Sequence, residues 1–227
     1  GAGQMAWTKT VFVVDEDVDV HDLTAVLSAV CRNCKPSRDI ERVYGALDIL
    51  DHAAPRLGSG MKLGFDATRK VAGEDIDGGE IDGLSTLPSP SDRAQAVAWA
   101  KTIPGVLDAS APELTPGWLF IRADRGHGEP EVVMLGQRIL DEFVEEPTEL
   151  RFVVVLGRDV DIHNHHEALF HWVANWDASR DAVWDHGPYG SRVLFDSTPK
   201  TAGDARNSQP VRAWPAVLDG ESIGFLG

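Results

Sequence analysis

Twenty-seven residues of this chain occur twice. Val13–Asp39, VVDEDVDVHDLTAVLSAVCRNCKPSRD, returns without a gap as Val155–Asp181, VLGRDVDIHNHHEALFHWVANWDASRD, at an offset of 142. Val13, Asp17, Val18, Asp19, His21, Leu27, Asn33, Ser37, Arg38 and Asp39 keep their residue type at 155, 159, 160, 161, 163, 169, 175, 179, 180 and 181. A second block follows each copy: Gly60–Glu74, GMKLGFDATRKVAGE, reappears as Gly190–Asp204, GSRVLFDSTPKTAGD, at an offset of 130. The 12-residue difference between the offsets falls in the connector, where loops absorb length changes. A fold for this chain must therefore accommodate one structural unit twice. Positions where the copies differ are positions the unit does not require.

Each copy reads as an α/β unit. Thr10–Val14 (TVFVV) and Phe152–Leu156 (FVVVL) are short, continuous, β-branched runs, as expected of strands buried on both faces of a parallel sheet. After the first run, Leu23, Val26, Leu27, Val30, Cys31 and Cys34 fall at helical spacing on one stripe. His165, Ala168, Leu169, Trp172, Val173 and Trp176 take the same places in the second copy. Asp22 and Asn164 stand where an N-cap belongs, and Glu167, three residues after Asn164, suggests a capping box. Lys62–Phe65 and Arg192–Phe195 read as strands ending in Asp. Between the copies, LPSP at Leu87–Pro90 leads into a helix near Asp92–Lys101. Trp118–Arg122 reads as a strand and Val132–Phe143 as a helix, which with the strand at Phe152 makes a βαβ crossover. The expected class is α/β: a largely parallel or mixed sheet with flanking helices, built pseudo-symmetrically from two repeated βα units. Its parts are a first unit over 7–86, a connecting helix–strand–helix segment over 87–150 and a second unit over 151–227. Gly73–Gly83, acidic and turn-rich, is expected to lack regular structure.

Composition excludes several classes. A net charge of −15 argues against nucleic acid or an anionic membrane as partner, because phosphate recognition needs clustered Lys and Arg. The longest apolar run is about five residues, far below the ~20 a bilayer span requires. No basic start or apolar stretch suggests a signal peptide, and Gly1–Gln4 ahead of Met5 resemble residues left by cloning. Two cysteines, three apart, make no disulfide framework, so the cytoplasm is the expected compartment.

Four constellations are candidates for chemistry. DVDVH (Asp17, Asp19, His21) and its counterpart (Asp159, Asp161, His163) follow predicted strands, where ligands of open α/β sheets bind. Alternating acids with a histidine suit a divalent metal, yet the same side chains serve equally to accept loop amides and cap the next helix. HNHHEALFH, His163–His171, is superficially similar to a zinc-protease motif, but His166 and His171 are five apart and diverge by about 140° around a helix. Cys31 and Cys34 have the spacing of a redox or metal pair; their place on the apolar stripe, with Val173 and Trp176 as counterparts, favours core packing. DATRK (Asp66, Thr68, Lys70) and DSTPK (Asp196, Thr198, Lys200) either anchor a phosphate or carboxylate or brace a tight turn.

TVFVVDEDVDVHDL, CKPSRDI, ALDILDHAAPRLGSGMKLGFDATRK, LFHWVANWDASRD and the closing VRAWPAVLD resemble the carboxyl-terminal domain of UbiD-family decarboxylases. The pairing of LDILDHAAP with a second DST block and AWP is most similar to the branch assigned to menaquinone biosynthesis through futalosine. The resemblance implies a carboxy-lyase that uses prenylated FMN with a divalent metal at its phosphate. It places the cofactor and the Glu-Arg-Glu catalytic set in a preceding flavin-binding domain, to which nothing here corresponds. Decarboxylation needs an electron sink that standard side chains do not supply. The expectation is therefore a domain without catalytic, cofactor or metal residues of its own, inactive alone. Its partners are further copies of itself and the parent's flavin-binding domain; the DVD and DxT residues named above are the substrate or interface candidates. The rival expectations are a free-standing non-catalytic subunit and a metal-dependent hydrolase built on the Asp and His clusters.

Overall fold

The computed structural model of the chain describes residues 3–71, 87–124, 150–185 and 192–214. Strand β1 is Thr10–Val13, followed by helix α1 (Leu23–Asn33), a single turn α2 (Pro36–Asp39), and strands β2 (Ile40–Ala46) and β3 (Ser59–Asp66). Helix α3 (Pro90–Ala100) leads to β4 (Val106–Ser110) and β5 (Trp118–Ala123). Then come β6 (Phe152–Leu156), α4 (His165–Ala174), the turn α5 (Ala178–Asp181), β7 (Ala182–Asp185) and β8 (Arg192–Ser197). The expected helix at 132–143 and the acidic stretch at 73–83 lie outside the described residues.

The mixed α/β architecture with flanking helices is as expected, with its strands divided between two sheets. One has the order β1-β3-β2, the other β4-β5-β6-β8-β7. β1 and β3 run parallel and β2 runs antiparallel to β3, with Thr10 opposite Leu63 and Ile40 opposite Phe65. β6, β8 and β7 have the same directions, with Phe152 opposite Val193 and Ala182 opposite Phe195. These pairings differ by the offsets 142 and 130 that relate the recurring segments.

Local chemistry explains the helix boundaries. The Asp22 carboxylate accepts from the N–H groups of Thr24 and Ala25 at 2.9 and 3.2 Å, satisfying donors that a helix start leaves open. Asn164 accepts from Glu167 N–H at 3.4 Å. The reciprocal half of the expected capping box is absent: the Glu167 carboxylate instead accepts from Asp161 N–H at 3.0 Å, holding the loop before the helix. At α3, Ser89 and Asp92 form a full capping box with Pro90 at the first helical position.

One core joins the two sheets. Phe12, Leu63 and Phe65 of the small sheet meet Trp118, Phe120, Phe152, Val154 and Phe195 of the large one, with Leu27 and Val30 of α1 and Ala168 and Trp172 of α4. Phe65 lies 6.2 Å from Phe152 and 6.5 Å from Trp172, ring centre to ring centre. The contacts cross between units reciprocally. Lys9, just before β1, sits 4.9 Å over the Trp176 ring, while Arg151, just before β6, donates to the Cys34 carbonyl at 3.1 Å. Lys9 and Arg151, like Cys34 and Trp176, correspond at the offset of 142.

The far face of the large sheet is also covered. Val153, Val155 and Leu194 pack with Leu119 and Ile121 beneath Ala96 and Ala100 of α3. The small sheet differs here: Val11 and Val13 are 44% and 52% exposed, so β1 is not buried on both faces as its composition suggests. β-branched composition alone does not reveal this exposure.

The Ser-Arg-Asp turns are built alike and buried differently. Arg38 holds Asp39 through two bonds of 2.7 and 2.9 Å, and Arg180 holds Asp181 through two of 2.9 and 2.7 Å. Arg180 is enclosed and also donates to the carbonyls of Ala53 and Pro210, both at 2.9 Å; the Arg38 side chain is 33% exposed. Removing one partner of an enclosed pair strands a buried charge. Arg180→Ala is expected to cost about 3–5 kcal/mol in urea unfolding, and Arg38→Ala less, because the buried Asp39 keeps Lys70 at 3.7 Å and the Lys35 N–H as partners.

Candidate functional site

The first unit gathers its candidate residues where β1 and β3 end. Arg69, immediately after the β3 turn, donates from its backbone N–H to Asp15 at 3.0 Å and from its guanidinium to Asp17 at 2.8 Å. Asp66 accepts from the N–H and hydroxyl of Thr68 at 3.0 and 2.5 Å, closing a tight turn. Lys70 lies 2.8 Å from the other Asp66 oxygen and 3.7 Å from Asp39, and donates to the carbonyls of Asp66 and Thr68. Burial pushes the Asp66 carboxyl up, but the bonds from Lys70 and Thr68 together hold it below its ordinary value. Asp19 accepts from His21 N–H at 2.9 Å, bracing its own loop.

The second unit repeats this turn in a sealed setting. Asp196 accepts from Thr198 N–H and hydroxyl at 3.1 and 2.6 Å. The Lys200 ammonium meets the carbonyls of Thr198, Asp196 and Asn175 at 2.6, 2.7 and 3.3 Å and the Asp196 carboxylate at 3.2 Å. Its three donors are matched by oxygens of its own fold. The Lys200 and Asp196 side chains are 0% and 2% exposed, against 11% and 51% for Lys70 and Asp66. Pro199 replaces Arg69, so the link to the preceding acidic loop has no counterpart. Asp159 stands exposed, while Asp161 accepts from His163 N–H at 2.9 Å. The His163 ring instead reaches Asp108 of β4 at 3.0 Å. Asp108 also meets Lys101 at 2.8 Å; this ammonium, against a smaller effect of burial and with His163 adding, holds the Asp108 carboxyl well below the usual carboxylate range.

In the first unit Arg69 joins Asp17 to the turn of Asp66, Thr68 and Lys70, with Asp19 and His21 braced locally, whereas in the second unit Asp196, Thr198 and Lys200 share a sealed turn and Asp161 and His163 stand in a separate loop. Sequence reasoning missed Asp15, Arg69 and Asp39 in the first and Lys101 and Asp108 near the second. Arg69 carried a usable signal: it is a charge inside the recurring block that only one copy possesses. The His163–Asp108 contact, 55 residues apart, carried none.

The remaining candidates fall to packing. Cys31 and Cys34 lie in the shared core; burial pushes the Cys31 thiol up to about 12, although Gly117 N–H donates to its sulfur, and pushes Cys34 higher still. Such thiols are not nucleophiles. His171 bonds to Asn175, which bonds in turn to His52, at 3.3 and 3.2 Å. Among the described residues no three His, Cys, Asp or Glu side chains converge to hold a metal ion. No described helix is long and apolar enough to cross a membrane.

Two measurements check this geometry. Cys31 and Cys34 are expected to react with a disulfide reagent only at the rate of unfolding, with both thiols titrating at once in denaturant. Asp108 titrates lower folded than unfolded, so its contribution is present above about pH 4 and is lost as pH falls below it. Asp108→Asn is therefore expected to lower the urea midpoint at pH 7 and to have a smaller effect at pH 3.

Known proteins resemble parts of this chain. Residues 1–67, which end just past β3, match the family model of the 3-octaprenyl-4-hydroxybenzoate carboxy-lyase C-terminal domain, UbiD_C. An uncharacterized protein of Aeropyrum pernix is 45% identical over 75 residues, which are 33% of this chain and 15% of that protein. Among solved structures, vanillic acid decarboxylase of Sedimentibacter hydroxybenzoicus, in an open form with truncated ShVdcD, aligns with a TM-score of 0.42 at 12% identity. That alignment covers 78% of this chain and 41% of the other. An evolved dimeric form of the UbiD-class enzyme HmfF from Pelotomaculum thermopropionicum, in complex with prFMN, aligns with a TM-score of 0.40 at 16% identity, over 60% and 29% of the two chains. The chain thus spans 15%, 41% and 29% of these three proteins.

Proposed function

We propose that this chain is the carboxyl-terminal domain of a UbiD-type aromatic acid decarboxylase, a cytoplasmic carboxy-lyase serving menaquinone biosynthesis. In this reading it builds the oligomer and closes the active site of a flavin-binding domain. The family match over residues 1–67 carries the proposal.

The prenylated FMN and divalent metal of such an enzyme do not fit the groups described here. A flavin phosphate needs available cations, whereas Lys70 and Lys200 are spent on carbonyl and carboxylate oxygens of their own turns. The described acids and histidines form no three-ligand set. No step of decarboxylation is therefore assigned to this chain. What its half-exposed first cluster offers is a positioned surface: Arg69 and Asp17, 55% and 58% exposed, present a charge pair beside the end of β1. The enclosed second cluster only holds its unit together.

The test is reconstitution of the parent enzyme. Deleting this domain is expected to lower decarboxylation of the parent's aromatic acid at least tenfold, and separately produced chain is expected to restore part of it. Full activity and unchanged assembly after deletion would overturn the proposal.

A further inference from the structure

The two units differ most where they are otherwise superposable in register. β6, the counterpart of β1, is paired on both edges, with β5 on one side and β8 on the other. Its outward residues Val153 and Val155, with Leu194 of β8, are 0–1% exposed beneath α3. The corresponding residues of the first unit are Val11, Val13 and Gly64, where the two valines are 44% and 52% exposed. Among the described residues β1 pairs only with β3.

The free edge has defined chemistry. The carbonyls of Lys9 and Val13 accept from Leu63 and Ala67, so odd-numbered residues of β1 bond to β3. By the alternation of a strand, Thr10 and Phe12 turn their N–H and C=O groups to the open side. Natural sheets blunt such edges with charges, bulges or cover. The other three sheet edges among the described residues show such devices: β2 carries Glu41 and Arg42, β4 has a register shift at Val106/Asp108, and β7 lies against α2. β1, TVFV, has no charge and no bulge.

We infer that the free edge of β1 pairs antiparallel with β1 of a second copy of this chain, merging two three-stranded sheets and joining their exposed Val11/Val13 faces. Charge selects this occupant and direction. The start of β1 lies beside Lys62, whose ammonium reaches the Ala6 carbonyl, and the end runs into Asp15, Glu16 and Asp17, of which Arg69 offsets one charge. Antiparallel pairing sets the basic end of each copy against the acidic end of the other, whereas parallel pairing sets like against like. Met5 and Trp7, 69% and 47% exposed near the basic end, extend the apolar surface that would be covered. The inference rests on the self-association proposed above and names its surface.

Two variants test it by light scattering on eluting chain at tens of micromolar. Val11→Lys places like charges across the joined faces, and Thr10→Pro removes a donor from the free edge, a place where sheets tolerate proline. The wild-type chain is expected at twice its 24.7 kDa mass and each variant at 24.7 kDa, with unchanged circular dichroism. Doubled mass in both variants would overturn the β1 edge while leaving self-association standing; a wild-type mass of 24.7 kDa would overturn both. Amide exchange guards against misfolded variants. In wild-type chain, Thr10 and Phe12 are expected to exchange at least tenfold more slowly in concentrated than in dilute solution, and equal rates would also overturn the edge pairing.

Discussion

Every other feature of this molecule depends on one core shared between two sheets. Trp172 of α4 illustrates the constraint: its ring meets Phe12 and Phe65 of the small sheet and Trp118 and Phe195 of the large one. Fully burying a side chain of this size contributes roughly 2–3 kcal/mol by area. The contribution requires both sheets to be in place. The inner residues of the two sheets belong to one cluster, so each unit's inner face is completed by the other. The polar contacts follow the same division. The Asp177 carboxylate accepts from Met61 N–H at 2.9 Å, and a methyl group on Gly60 would come within 2.8 Å of Leu47, so the backbone near β3 admits no side chain there.

Much of this was legible because the chain supplies its own comparison. The ends of β6 and the start of α1 fall where β-branched runs and capping residues put them. The residues common to both segments, Asp-Val-Asp, His, Ser-Arg-Asp and Asp-x-Thr, prove to be loop and turn builders: His21 and His163 donate their N–H to Asp19 and Asp161 alike. The residues unique to one copy supply the differences. Cys34 and Trp176 fill corresponding core positions, and Arg69 ties two loops through a charge pair that Pro199 cannot form.

What was not legible has physical reasons. β2 and β7 escaped notice for different reasons: IERVYGA exposes most of its residues, and AVWD is four residues long. The division into two sheets depends on β4, β5 and α3, which have no counterpart beside the first unit among the described residues, and no property of TVFV itself reports this. The contrast between Lys70 and Lys200 is of the same kind. Identical turns become half-exposed or sealed according to what packs over them, which is a tertiary fact.

In the proposed function the second unit, whose Asp196–Lys200 turn is enclosed, anchors the fold, and the first, with an open edge and a charged loop, faces outward. The central claim, that the two units form one body through a common core, is tested most directly by scanning calorimetry of the intact chain. A single transition is expected, whose calorimetric and van't Hoff enthalpies agree per cooperative unit. Two separable transitions, one shifted by Phe65→Ala and the other by Trp172→Phe independently, would contradict it.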